Sequence, residues 1–245
     1  MSDVYTLFHA ESMGSVFTLA VLRVLDVKHN VVLLSFDSVA KKEDTPEYHQ
    51  LVAASPLAQF PTVIAPDGTV LTEGAAIALY LHDKYATGTQ WSTEHLSPSQ
   101  LALYYRIMVF IPANIYPTFT ALDFPARFVI VPKTTQVSEE AVCGWVEEKA
   151  KENNKATFKL LEKLLDTVEN RTSAFALGTG NASLVDIYIT LMAHYGPPSP
   201  HGWMEDNCPK VMACARETLK DPVLQQVFEV ENKFAAQIRG PLHTE

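Results

Sequence analysis

The sequence predicts an α/β domain followed by an all-α domain. Within the first 85 residues, short apolar runs rich in β-branched residues alternate with longer apolar stretches at helical spacing. Asp67-Gly68 lies between two apolar runs, a strong hairpin signal. From about Ser97 onward the strand signals fade and helical patterns take over.

Each element follows from local chemistry. Val4 to Phe8 (VYTLF) reads as a first short strand. Val16 to Leu25 (VFTLAVLRVL) is longer and mostly apolar, so it reads as a buried helix. Asn30 to Phe36 (NVVLLSF) is a second strand. Thr45 to Ala54 reads as a helix, with Thr45 as N-cap and Pro46 at the first helical position. Pro61 to Ile64 and Val70 to Leu71 form the hairpin, and a helix runs from about Gly74 to Tyr85 with Thr72 as a candidate N-cap. The βαβ start implies parallel strands and the hairpin adds antiparallel ones, so the sheet should be mixed. Thr87 to Leu96 reads as a linker.

Beyond the linker, Ser97-Pro98 opens a helix carrying Leu101, Tyr104, Tyr105, Met108 and Ile111. Pro112, Pro117, Pro125 and Pro132 suggest a helix end and a long loop over 112–137. Ser138 to Val168 and Ser183 to Tyr195 are amphipathic helices, and Asp221-Pro222 starts a last one, to about Ile238.

Composition narrows the function. The 245 residues are 47% hydrophobic and 19% charged, enough to bury a sizeable core. The net charge of −9 and the lack of any basic block argue against nucleic acid or an anionic membrane as partner. No apolar run approaches ~20 residues, and MSDVYTLFHA does not read as a signal peptide, so a cytoplasmic location is expected. The sparse cysteines, Cys143, Cys208 and Cys214, fit neither a disulfide framework nor a zinc set, and no metal site is expected.

This order of elements, with these residues, resembles the soluble glutathione S-transferase family. Four features carry the resemblance. Gln59-Phe60-Pro61 matches the family's x-Val-Pro ahead of the third strand, where the proline is cis. Glu73-Gly74, heading EGAAIALYL, matches E-S-x-A-I-x-x-Y-L. Ser183-Leu184-Val185-Asp186 matches the capping box S/T-x-A-D. The stretch Ser12 to Ser15 follows the first strand, where the family keeps a catalytic Ser, Cys or Tyr. The resemblance implies a thioredoxin-like glutathione-binding domain over 1–86, with a mixed four-stranded sheet, and a helical bundle over 97–240. It also implies glutathione as cosubstrate, an apolar or aromatic small-molecule electrophile, and a homodimer. The sequence departs from the pattern at Gly74, which replaces a serine, at Phe60, and in the Pro-rich insert.

The chemistry needs a thiolate from a thiol of pKa about 8.5. A hydroxyl aimed at the sulfur, near a helix N-terminus, favours the charged form. Ser12 is the implied donor, while Ser15 reads better as a helix cap, and Tyr5 is a further alternative. Under the resemblance, the Phe60 backbone pairs with the cysteinyl backbone of glutathione, its side chain being incidental, and Pro61 sets that geometry. Glu73 faces the γ-glutamyl ammonium, and the Gly74 N–H receives the γ-glutamyl carboxylate. Gln59 reaches polar groups of the peptide and Lys41, or alternatively Lys42, its glycine carboxylate. Without the resemblance, Glu73 is an ordinary acidic helix start and Lys41 a solvated surface residue. Tyr104, Tyr105, Met108 and Ile111 are the implied second-substrate wall, although such a stripe is more often plain core, so about half of them should be packing. Ser183 and Asp186 are read as structural.

The rival readings are a non-catalytic carrier of glutathione and apolar ligands, a glutathione-dependent isomerase, and a protein-interaction member of the family. A thiol–disulfide enzyme is disfavoured because HAESMGSV holds no cysteine.

Overall fold

The computed structural model describes residues 3–132, 136–169, 171–196 and 202–231. The first domain holds β1 (Tyr5–His9), α1 (Ser15–Val24), β2 (His29–Leu33), α2 (Phe36–Ala40), α3 (Pro46–Ala54), β3 (Thr62–Ile64), β4 (Val70–Thr72) and α4 (Gly74–Tyr85). The four strands order as β2-β1-β3-β4. β1 pairs parallel with β2 and antiparallel with β3, and β3 pairs antiparallel with β4. The mixed sheet is as the sequence implies.

Strand alternation sorts the two faces. Tyr5 and Leu7 join the main core beneath α1 and α4, whereas Phe8 turns to a small cluster with Leu34 and Leu51. Ser15 to Leu22 of α1 are all buried, which explains its nearly unbroken apolar sequence. α1 packs against α4 and against the helical domain, so both domains share one core. The hairpin turn uses Gly68 at φ 88°, and Thr69 N–H donates to Asp67 Oδ1 at 2.9 Å. Thr45 caps α3, its hydroxyl accepting from Tyr48 N–H at 3.2 Å. The second strand stops at Leu33 rather than Phe36, because Ser35 caps α2 by accepting from Ser38 N–H at 2.9 Å.

The second domain holds α5 (Pro98–Phe110), a π-helical turn (Ile111–Ile115), α6 (Tyr116–Asp123), a 3-10 turn (Pro125–Phe128), α7 (Glu139–Asp166), α8 (Leu184–Tyr195), α9 (Trp203–Asn207), α10 (Pro209–Thr218) and α11 (Pro222–Glu231). The expected loop from 112 is largely helical. The π turn bonds Tyr116 N–H to Ile111 O, five residues back. That wider ring accommodates prolines, which lack the N–H of the ordinary four-residue ladder. The expected extension of the last helix to Ile238, and the boundary at 240, lie outside the described residues.

α9 and α10 are absent from the sequence reading. Val211, Met212, Ala215 and Thr218 do have helical spacing, and Pro209 stands at the first position of α10. The cap is non-local: Glu162 of α7 accepts from Lys210 N–H and Val211 N–H at 3.0 Å. No helix among the described residues is long and apolar enough to cross a membrane.

Candidate functional site

β1 ends by delivering the loop Ala10–Gly14 to the N-terminus of α1. Met13 N–H donates to Ala10 O at 3.3 Å, closing a turn. Ser12 is the third residue of that turn, at φ 58°, a left-handed conformation uncommon for a non-glycine residue. Ser12 is 8% exposed. Ser15 does not cap α1. Its hydroxyl accepts from Ala10 N–H and donates to Ala10 O, both at 3.1 Å, and Gly14 occupies the N-cap position. Its proton is thus committed to the loop. Tyr5 is removed from the question as well. Its hydroxyl accepts from Lys84 Nζ and Tyr85 Oη, each at 3.1 Å. Burial pushes its phenol well up, and β1 carries it ~13 Å from His9 at the loop end.

The second segment brings Pro61, Glu73 and Gly74 together. The Phe60–Pro61 peptide is cis, as the resemblance implies. The N-cap of α4 is Glu73, not Thr72, which closes β4. Glu73 holds φ 65°, its carbonyl accepts from Ile77 N–H at 2.9 Å, and its exposed side chain makes no cap bond. That φ departs from the extended conformation usual at an N-cap. A Cβ added at Gly74 would lie 3.6 Å from Pro61 Cγ and 3.7 Å from Phe17 of α1, ordinary van der Waals distances. Pro61 and Phe17 of α1 therefore flank the space beside Gly74. The Glu73 charge reaches Tyr188 of α8, which stacks on Phe17 at 4.1 Å; burial, then Tyr116 and Glu73, hold the Tyr188 phenol well above its ordinary value.

Other expected residues lie differently. The Phe60 side chain packs on the small core of Phe8, Leu34 and Leu51. Gln59 is exposed, and its carbonyl accepts from the Thr62 hydroxyl at 2.8 Å. Lys41 sits exposed at the C-terminus of α2, with Asp37 4.0 Å away. In the α5 stripe, Tyr104, Met108 and Ile111 are 1%, 0% and 0% exposed within the main core, while Tyr105 is 48% exposed. Tyr104, Met108 and Ile111 are thus packed in the core, as α5 buries its apolar face against the rest of the bundle, and Tyr105 points outward. A different set of half-buried aromatics faces across the domain boundary. Phe36 of α2 stacks on Phe124 at 5.1 Å, and the Arg127 guanidinium lies 4.0 Å over the Phe124 ring.

Two tyrosines that sequence reasoning missed hold the Ser12 loop. Tyr195, at the end of α8, donates its hydroxyl to Ser12 O at 2.9 Å. Tyr116 lies against Gly14, where a Cβ would come within 2.9 Å of Tyr116 Oη. Their only sequence signal was aromatic identity, and Tyr116 fell in the stretch expected to be loop.

Solved structures share this architecture. A glutathione transferase homologue from Sulfitobacter, with bound glutathione, superposes with a TM-score of 0.71 at 14% identity, covering 93% of this chain and 98% of that one. The fold is that of the glutathione transferases. The transferase URE2P6 from Phanerochaete chrysosporium, in complex with oxidized glutathione, gives 0.69 at 19% identity, covering 94% and 96%. In sequence, the chain is 27% identical over 222 residues to the GST-like protein YncG of Escherichia coli K12, covering 88% of this chain and 93% of that protein. No family model matches the chain. The resemblance read from the sequence is borne out at the level of the transferase fold, a thioredoxin-like domain followed by a helical one.

Proposed function

We propose that the chain binds glutathione along Gln59–Pro61 and Glu73–Gly74 and joins it to an apolar electrophile, with Ser12 stabilising the thiolate. The observation that carries this reading is Glu73. It is an exposed carboxylate in a strained conformation, next to an open helix N-terminus and beside a cis-proline. Backbone strain of that kind, costing about 1–3 kcal/mol, persists where the surrounding structure needs it. The Gly74 N–H at the start of α4 suits a carboxylate, and the Glu73 side chain suits the adjacent ammonium. Phe36, Phe124 and Tyr116, rather than the α5 stripe, supply the apolar wall for the second substrate. Lys41 is retained for the glycine carboxylate on the resemblance.

A carrier without turnover is the second reading, favoured by the burial of Ser12 and by the missing hydroxyl at Gly74. The experiment is turnover of a chlorodinitrobenzene-type substrate with glutathione, alongside displacement of a fluorescent apolar dye. Conjugation supports the transferase; dye displacement with no conjugation supports the carrier.

Gly74→Ser should tighten glutathione binding. The space beside Pro61 and Phe17 admits the new side chain, and one added hydrogen bond is worth about 0.5–1.5 kcal/mol, or ~2–12-fold in Kd. Titration calorimetry of both forms reads the change, and an unchanged or weaker Kd would place the γ-glutamyl carboxylate elsewhere.

We further propose a two-fold homodimer, with exposed Leu57, Tyr105 and Val109 among the apolar surface it covers. Light scattering at micromolar concentration should give twice the 27.2 kDa chain mass, and a monomer mass would overturn it.

A further inference from the structure

The Ala10–Gly14 loop is tied at its start by Ser15, whose hydroxyl holds both Ala10 N–H and Ala10 O at 3.1 Å. Its turn is closed by a 3.3 Å hydrogen bond, and Ser12 sits in a region that costs an L-residue about 1–2 kcal/mol. Such a conformation must be held from outside. The holding groups come from the helical domain. Tyr195 donates to Ser12 O at 2.9 Å, across 183 residues of sequence. Tyr116 Oη lies against Gly14, where an added Cβ would meet it at 2.9 Å, and the Tyr116 ring meets the Tyr195 ring edge-on. Each hydroxyl has one proton. Tyr195 gives its own to Ser12 O. The result is a two-point hold on the loop, Tyr195 on the Ser12 carbonyl and Tyr116 against Gly14.

The rings are fixed independently. Tyr116 and Tyr195 meet edge-on at 6.4 Å, and Phe119 packs edge-on to Tyr195 at 5.6 Å. The π turn Ile111–Ile115 ends immediately before Tyr116. Its extra residue per turn resets the direction in which Tyr116 leaves the helix, and π turns recur at functional sites. Pro112, which looked like a break in the sequence, belongs to the device that aims this tyrosine.

We propose that Tyr116 and Tyr195 are positioning residues that clamp the Ser12 loop by its backbone, so that the helical domain sets the direction of the Ser12 hydroxyl. Without the clamp, Ser12 relaxes to negative φ and its side chain swings away. The inference deepens the glutathione reading and rests on it for its catalytic consequence; the clamp itself is a structural claim that can be tested without ligand.

The test uses Tyr195→Phe and Tyr116→Phe, which keep the rings and remove only the hydroxyls. Without ligand, amide hydrogen exchange over residues 10–17 should quicken by about tenfold in either variant, since a locked turn is being released. Unchanged exchange overturns the clamp, whatever the protein binds. With glutathione, thiolate absorbance and saturation kinetics should show the bound thiol pKa raised by about one unit and kcat lowered by about tenfold in Tyr195→Phe, with KM for glutathione within about twofold. Ser12→Ala combined with Tyr195→Phe should be no worse than Ser12→Ala alone, because both remove the same donor. Additive losses, or faster exchange with an unshifted thiol pKa, overturn the positioning role and leave the tyrosines as packing. A wild-type protein that shows no thiolate band with glutathione overturns the glutathione reading, and the catalytic role of the clamp with it.

Discussion

Asp186→Ala is expected to lower stability by about 3–5 kcal/mol and the melting temperature by ~6–20 °C. Asp186 is fully buried in the first turn of α8. Its carboxylate accepts from Ser183 N–H at 2.7 Å, the Ser183 hydroxyl at 2.6 Å, Ala176 N–H at 2.6 Å and the Cys214 thiol at 3.1 Å. Burial pushes the carboxyl above its ordinary value, against the pull of these donors. Burial, together with the nearby Asp186 charge, pushes the Cys214 thiol well up, so it remains a donor. Truncation strands two buried N–H groups, each costing about 1–3 kcal/mol, and removes the helix cap, worth about 1 kcal/mol. Ser183→Ala removes one hydroxyl and should cost only about 1 kcal/mol. Calorimetry of both variants checks the ranking. Equal losses would mean that Asp186 is no more than a local cap.

Ser12→Ala is expected to lower turnover by about 10- to 100-fold, or ~1.4–2.7 kcal/mol of barrier, while leaving glutathione affinity nearly unchanged. In the proposed site the hydroxyl acts on the thiolate and not on the rest of the peptide. Ser15 cannot substitute, because its proton is given to Ala10 O. Glu73→Gln should act the other way round. It weakens a contact made equally in ground and transition states, so KM for glutathione rises more than kcat falls. Paired saturation curves and a thiolate titration separate the two. Full turnover and an unshifted thiol pKa in Ser12→Ala would exclude Ser12 as the donor.

What the sequence displayed and what it hid divide along the range of the interactions. The boundaries of α3, α4 and α5 were legible because their starts are chemical and local: Thr45-Pro46, Glu73-Gly74 and Ser97-Pro98. The hairpin was legible from Asp67-Gly68 for the same reason. The Ser12 loop could be located but not described, since its conformation depends on Tyr195, which is distant in sequence. α10 was missed although its apolar spacing is regular, and its N-terminus is satisfied by Glu162 from another helix. The prolines at 112 and 117 misled because proline normally ends a helix, and only the π turn makes them compatible with one. Tyr104 and Met108 carry the same pattern whether they line a pocket or a core; packing alone decided for the core.

The central claim is that glutathione binds where Pro61, Glu73 and Gly74 meet, and the melting temperature with and without about 10 mM glutathione tests it most directly. If that concentration is about a hundred times Kd, the native state gains about 2.7 kcal/mol and the melting temperature should rise by ~5–11 °C, with a clearly smaller rise in Glu73→Gln. No rise in the wild-type protein would contradict the account, and a rise that Glu73→Gln retains in full would move the site away from the start of α4.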